Sequence, residues 1–217
     1  MKQLAFILFC LLISPAALYA AETSAQTYET LVSAAKRGDQ PVDWTAIRLA
    51  YAQTPTNDFS GVTVHVPQNE MMAALQAKDY ATAATRANAI LDKYYASLFA
   101  HRALEIVYGA AGDKKLEKQY HDNVGGIIDS IANHGDGKSK EKSFLAVSIA
   151  EEYQMLTMLG LEPKGQSLIA GDPNGHSYDV LKATNADGKE YEIYFQIDSI
   201  LAAENRLVEG IHSKAKE

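Results

Sequence analysis

Apolar positions return at helical spacing from about residue 27 to residue 160, on an alanine-rich background, and this periodicity predicts a helical body. Three breaks in it share a form: Lys36-Arg37-Gly38-Asp39, Ala77-Lys78-Asp79-Tyr80 and Ala111-Gly112-Asp113-Lys114. The second and third stand 34 residues apart, counted from Asp79 to Asp113. That is the period of tetratricopeptide-type helix pairs, in which each hairpin buries its apolar face by stacking on the next. Only two units are clear, and neither carries the repeat's tryptophan or closing proline, so a tetratricopeptide-like array and an irregular bundle are both open. Between two helices, residues 54–67 (TPTNDFSGVTVHVP) read as a long connection. Loops of that length tend to carry a function or to lack fixed structure.

After Gly160 the pattern changes to short alternating runs. QSLIA, HSYDVLKAT and EYEIYFQI read as three strands, joined by Gly171-Asp172-Pro173-Asn174-Gly175 and Asn185-Ala186-Asp187-Gly188. In the last run Tyr191, Ile193, Phe195 and Ile197 point one way, and Glu190, Glu192 and Gln196 the other. Asp187-Gly188 suits a tight hairpin. The prediction is an antiparallel meander over about 166–198, then a helix over about 199–212 with Ile200, Leu207, Val208 and Ile211 on one face. The fold class is therefore α+β and mainly α: tetratricopeptide-like helical hairpins, a small antiparallel β-meander and a short C-terminal helix.

Two segments place polar groups in apolar stripes. In KSFLAVSIAEEYQMLTML, read as a helix over 142–159, Phe144, Val147, Met155 and Met158 fall on one side, with Leu145, Ile149 and Leu156 on an adjoining side. Glu151 projects within the first group and Glu152 between the two. A buried carboxylate without a partner is costly, so each calls for a cation, an amide or a proton. In VDWTAIRLAY, Asp43 is a natural cap, and Arg48 stands on the face of Trp44, Ile47 and Tyr51. We expect Arg48 to pair with Glu151 or Glu152, either as architecture or as part of a ligand-facing pocket.

The stretch NHGDGKS (133–139) resembles a phosphate loop only superficially. That loop needs a glycine five positions before the Gly-Lys, where this chain has Ala132, and a preceding strand, where GGIIDSIAN reads as helix. A linker between helices accounts for the same residues: Gly135 ends one helix in a left-handed turn, Ser139 or Asp136 caps the next, and Glu141 faces its positive end. The other reading is an anion or ligand site made by backbone amides of the turn with His134 and Lys138.

Composition narrows the setting. Lys2, an apolar run over residues 4–13, Ser14-Pro15 and the small-residue exit at Ala20 form a secretory leader, too short to span a bilayer comfortably. Cys10 follows Phe9 inside that run, a context that argues against lipid attachment. Removing residues 1–20 leaves a single domain over 21–217 with 19 basic and 27 acidic side chains, a formal charge of −8, and no cysteine. Such a chain relies on burial for stability. Its negative balance argues against nucleic acid or anionic lipid as a main partner, and no stable membrane insertion is expected once the leader is gone.

Candidate chemistry is sparse. His101 and Glu105 lie one helical turn apart and could share a metal, but no third ligand is indicated. No His-Glu-x-x-His or Gly-x-Ser-x-Gly pattern is present. No metal or cofactor is expected.

The segments VDWTAIRLAY, AKDYATAATRANAILDKYYASLFAH, HGDGKSKEKSFLAVSIAEEYQML and SYDVLKATNADGKEYEIYFQI, in that order, resemble the bacterial family called domain of unknown function 4919, over residues 28–197. The resemblance implies export to the cell envelope and a single domain, and it supplies no catalytic residues. The expected function is that of an exported, periplasmic or secreted, non-catalytic module that takes a protein or peptide partner. The alternative is a small-ligand binder or hydrolase-like enzyme with a pocket of His134, Asp136, Glu151 and Glu152, joined by His101 and His176.

Overall fold

Aspartate starts three helices, and in two of them a left-handed residue precedes it. The computed structural model describes residues 15–38, 41–133 and 135–214, so His134, Asp39 and residues 1–14 of the expected leader lie outside the described residues. Helix α1 spans Pro15–Arg37 and α2 spans Trp44–Gln53, the latter capped by Asp43, which accepts from the Ala46 amide at 2.8 Å. Helices α3 (Val62–Gln76) and α4 (Tyr80–Leu91) form a hairpin, as do α5 (Leu98–Ala111) and α6 (Lys114–Ala132).

Both hairpins turn in the same way. Lys78 (φ 57°) and Gly112 (φ 75°) take left-handed backbone, and Asp79 and Asp113 then cap the next helix through the Thr82 and Leu116 amides. The 34-residue spacing is the distance between these two turns. Each hairpin leaves an apolar side to be covered by its neighbour, and α3 packs on α4, α4 on α5 and α5 on α6. Helix α1 packs on α2, which also touches α6 and the last helix, α8 (Asp198–Lys214).

The long connection expected over 54–67 is shorter, because α3 already begins at Val62 and holds Pro67 within it. Asp58 reaches forward to make this start: its carboxylate accepts from the amides of Val62 and Thr63 and from the hydroxyls of Ser60 and Thr63. These bonds occupy amide groups that a helix N-terminus leaves open.

The helix expected over 142–159 is also shorter. Phe144–Leu145 form a short strand, β1, and α7 spans Ile149–Met158. Its cap is Ser148, whose hydroxyl accepts from the Glu151 amide, rather than Ser139 or Asp136. The left-handed residue ending α6 is Asn133 (φ 48°), not Gly135. The turn after it is instead laid against the sheet: the Tyr194 amide donates to the Gly137 carbonyl at 2.8 Å, and a Cβ on Gly135 would stand 2.2 Å from the Lys142 carbonyl oxygen. Glycine is therefore used for close backbone approach and not to cradle a phosphate.

Strands β2 (Glu162–Ile169), β3 (Tyr178–Thr184) and β4 (Glu190–Gln196) form the expected antiparallel meander, with β2 starting earlier than expected. Strand β1 joins β4 in parallel, so the order is β1-β4-β3-β2 and the sheet is mixed. Leu181, Ile193, Phe195 and Phe144 are buried on one sheet face and belong to the same core as Ile47, Leu104, Ile127 and Leu156 of the helices. The protein is α+β and mainly α. In α8 only part of the expected apolar face is covered: Ile200 is buried, whereas Leu207, Val208 and Ile211 are 54%, 42% and 57% exposed.

Candidate functional site

Helix α2 carries Arg48 into the core together with Trp44, Ile47 and Tyr51. Its side chain is 0% exposed and meets Glu151 of α7 in a two-pronged pair: Nε donates to Oε1 at 2.8 Å and Nη2 to Oε2 at 2.7 Å. Nη1 donates to the Ser130 hydroxyl of α6 at 3.2 Å, and Nη2 also donates to the Leu145 carbonyl of β1. Glu151 completes its set with the Tyr94 hydroxyl, between α4 and α5, and the Val147 amide at 2.9 Å. Burial pulls the Arg48 guanidinium downward, but Glu151 and then Tyr94 outweigh it and it stays charged. Burial, reinforced by Glu151, holds the Tyr94 hydroxyl well above the usual phenol range, so it remains a donor. Planar, bidentate, charge-assisted pairing of this kind is what makes a buried ion pair tolerable.

The next residue of α7 meets the opposite environment. Glu152 is 0% exposed, and among the described residues neither of its oxygens has a hydrogen-bond partner. It faces Asp179 of β3, which the register places beside Phe195 on the apolar sheet face. Asp179 is itself buried and is held by the Gln166 amide of β2 at 2.6 Å. Burial first, then the charges of Asp179 and Glu151, push the Glu152 carboxyl up to about 9. Burial raises the neighbouring Asp179 carboxyl as well.

The other expected residues are held by partners outside this pair. His101 is wholly buried: Nε2 lies 2.7 Å from the Tyr95 carbonyl, Nδ1 faces the Asn123 amide, and the ring packs edge-on against Trp44 and Tyr95. Burial lowers it to about 4, so it is neutral. Glu105 does not share a site with it, since that carboxylate takes Arg102 at 2.6 Å and His121 at 3.0 Å. His176 pairs with Asp198 at 2.7 Å and joins the β2–β3 connection to the start of α8. Asp136 and Lys138 pair with each other at 3.2 Å on the surface. Among the described residues no three metal-ligating side chains converge.

A groove of about 1070 Å³ lies elsewhere, between α8 and residues 54–60. Pro55, Phe59, Ala203, Leu207 and Ile211 give it apolar walls. Two charged groups line it. Asp58 is spent on the start of α3; burial works to raise its carboxyl, but hydrogen bonds from Thr63 and Ser60 hold it below the usual range. Arg206 donates from Nη2 to the Ala52 carbonyl at 2.6 Å and has no carboxylate partner among the described residues. None of Arg48, His101, Asp136, Lys138, Glu151, Glu152 or His176 lines this groove or four further, smaller cavities.

Sequence reasoning reached Arg48, Glu151 and Glu152 but not Tyr94, Asp179 or Arg206. Asp179 carried a usable signal, because it shares the two-residue alternation of Leu181 and Ala183 and so falls on their face. Arg206 carried none, since its importance comes from a loop distant in sequence. No curated protein and no solved structure matches the chain. The family model described as Domain of unknown function (DUF4919) matches residues 21–206, and the chain belongs to that family.

Proposed function

We propose that the chain is a non-catalytic interaction module of the bacterial cell envelope, exported by its leader, and that a protein or peptide partner docks in the groove between α8 and residues 54–60. The observation that carries this reading is the state of the groove's polar groups. Asp58 is taken by Ser60, Val62 and Thr63; the Asn57 side chain bonds the Ala52 carbonyl and the Phe59 amide; the Thr54 hydroxyl bonds the Tyr51 carbonyl. An extended peptide would lose water from its own backbone and find little in return. A helix arrives with its backbone already paired. Its apolar side chains would cover Leu207 and Ile211, each worth roughly 1.5–3 kcal/mol on full burial, and an acidic side chain on it would meet the Arg206 guanidinium. The partner is thus an amphipathic helix with a carboxylate beside its apolar stripe.

The test places a photo-crosslinking amino acid at Leu207 or Ile211 of the full chain, expressed with its leader, and at Val66 of α3 as an exposed control. One discrete polypeptide adduct in the envelope fraction is expected from α8, absent at Val66 and reduced by Arg206→Glu, with the chain's intact mass beginning at Ala21. Equal labelling at both places, or adducts indifferent to Arg206→Glu, would refute the docking site; an uncleaved chain held in the cytoplasm would refute the envelope setting.

A further inference from the structure

Glu152 and Asp179 come from separate layers, the first turn of α7 and the middle strand of the meander, and they meet where both layers are apolar. The charged and polar groups around Glu152 are few. From β3 it faces Asp179, from β2 it is reached only through the neutral Gln166 amide on Asp179, and on its own helix it feels Glu151. The cation near this end of α7, Arg48, spends its donors on Glu151, Ser130 and Leu145. With no donor among the described residues aimed at either Glu152 oxygen, two ionised carboxylates are disfavoured at this joint, and a single proton between them supplies both the missing donor and the missing neutrality. We propose that Glu152 and Asp179 form a proton-held clasp between α7 and the sheet, a pH-sensitive joint that is closed in mildly acidic medium and weakens the fold as the medium becomes alkaline. The clasp is independent of the groove and of any partner.

The direction follows from proton linkage. Between the ordinary carboxyl value of 4.5 and the folded value of about 9, the folded chain holds one proton that the unfolded chain has released. Stability contributed by Glu152 is therefore complete below 4.5 and falls as pH rises through that window, by tenfold in the folding constant per pH unit. His101 acts in the other sense. Its folded value is about 4 against 6.5, so the unfolded chain holds the extra proton between those values and stability rises with pH there. From about 4.5 to 6.5 the two slopes cancel; above 6.5 Glu152 acts without opposition. Carboxyls lowered in the fold, such as Asp58, Asp172 and Asp198, act only below the ordinary carboxylate range, and the raised tyrosines act only above pH 10.

Urea denaturation of the chain at several pH values tests this. The folding constant is expected to be level from pH 4.5 to 6.5 and to drop about a hundredfold from pH 6.5 to 8.5. In Glu152→Gln, which keeps the shape and the donor to Asp179 but cannot ionise, the upper limb should be level and the lower limb should rise with pH, exposing the His101 term. In Asp179→Asn, where the amide can donate to an ionised Glu152, the falling limb should end at lower pH. A wild-type constant unchanged from pH 6.5 to 8.5, or a Glu152→Gln variant that keeps the wild-type slope, overturns the proposal. Should the variants fail to fold, carboxyl ¹³C titration of Glu152 in the unaltered chain decides, with a midpoint in the ordinary carboxyl range overturning it.

Discussion

Replacing Arg48 with methionine removes the guanidinium while keeping most of the apolar stem, so the perturbation is close to purely electrostatic. Glu151, 1% exposed, would be left in the core with only the Tyr94 hydroxyl and the Val147 amide. The Leu145 carbonyl would lose its Arg48 donor. Removing one partner of a buried ion pair costs roughly 3–5 kcal/mol, because the remaining charge is left uncompensated. For a chain of this size, with about 2–4 °C of melting temperature per kcal/mol, the expected drop is roughly 6–20 °C. The single tryptophan, Trp44, lies one turn before Arg48 and is buried, so urea denaturation followed by its fluorescence reads the local packing directly. The double variant Arg48→Met with Glu151→Leu should be more stable than the single Arg48→Met, since a buried pair exchanged for apolar groups is often near neutral. It should still fall short of the wild type, because Tyr94, Leu145 and Val147 each lose a bonding partner. An Arg48→Met chain within about 1 kcal/mol of wild type would refute the reasoning, as would a double variant no better than the single one.

The hairpin turns and the glycine turn give further outcomes. Asp79→Ala and Asp113→Ala should each cost roughly 0.5–2 kcal/mol by thermal denaturation, and their effects should add, since the caps serve different hairpins. Gly137→Ala should be markedly destabilising, since the position has φ 72° and a Cβ there would meet the Phe144 ring at 2.7 Å, while Gly112→Ala, with open space around it, should show only the backbone penalty. Equal losses at the two glycines by the same measurement would show that crowding at Gly137 is relieved at no cost.

The parts of the fold legible in the sequence are those with local causes. The hairpin turns could be read because each is made within a few residues, by a left-handed position and an aspartate cap. Strands β3 and β4 could be read from alternation and the Asp187-Gly188 turn. Arg48 and Glu151 were legible because helical winding alone places each inside an apolar stripe, and two such groups of opposite charge have few other ways to be satisfied. The errors came where a distant segment decided the outcome. Residues 142–148 have a helical pattern, yet Phe144 and Leu145 pair with Phe195 and Gln196 of β4, and the Ile149 amide is taken by the Phe59 carbonyl, so the helix starts late. Residues 54–67 read as a long connection, but Asp58 begins α3 well before Pro67, leaving the proline in the second turn. The expected gathering of Asp136, His101 and His176 around the glutamates failed for a similar reason, as each finds a nearer partner in Lys138, Tyr95 or Asp198.

Two adjacent glutamates in one turn of α7 therefore meet opposite environments, and the helix itself explains why. Successive residues point about 100° apart, so Glu151 faces α2 and Arg48 while Glu152 faces β3 and Asp179. Both stand in the first turn, where the helix dipole favours negative charge, so position in the helix does not separate them. What does is the partner that each layer offers. The helical layer presents a guanidinium with a complete set of acceptors, and Glu151 meets it in a two-pronged pair. The sheet presents another carboxyl, and the charge on Glu152 is given up. The seam between the layers thus has an ion pair on one side of α7 and, in the proposal above, a shared proton on the other, which places the proposed alkaline weakening on the sheet side of that helix.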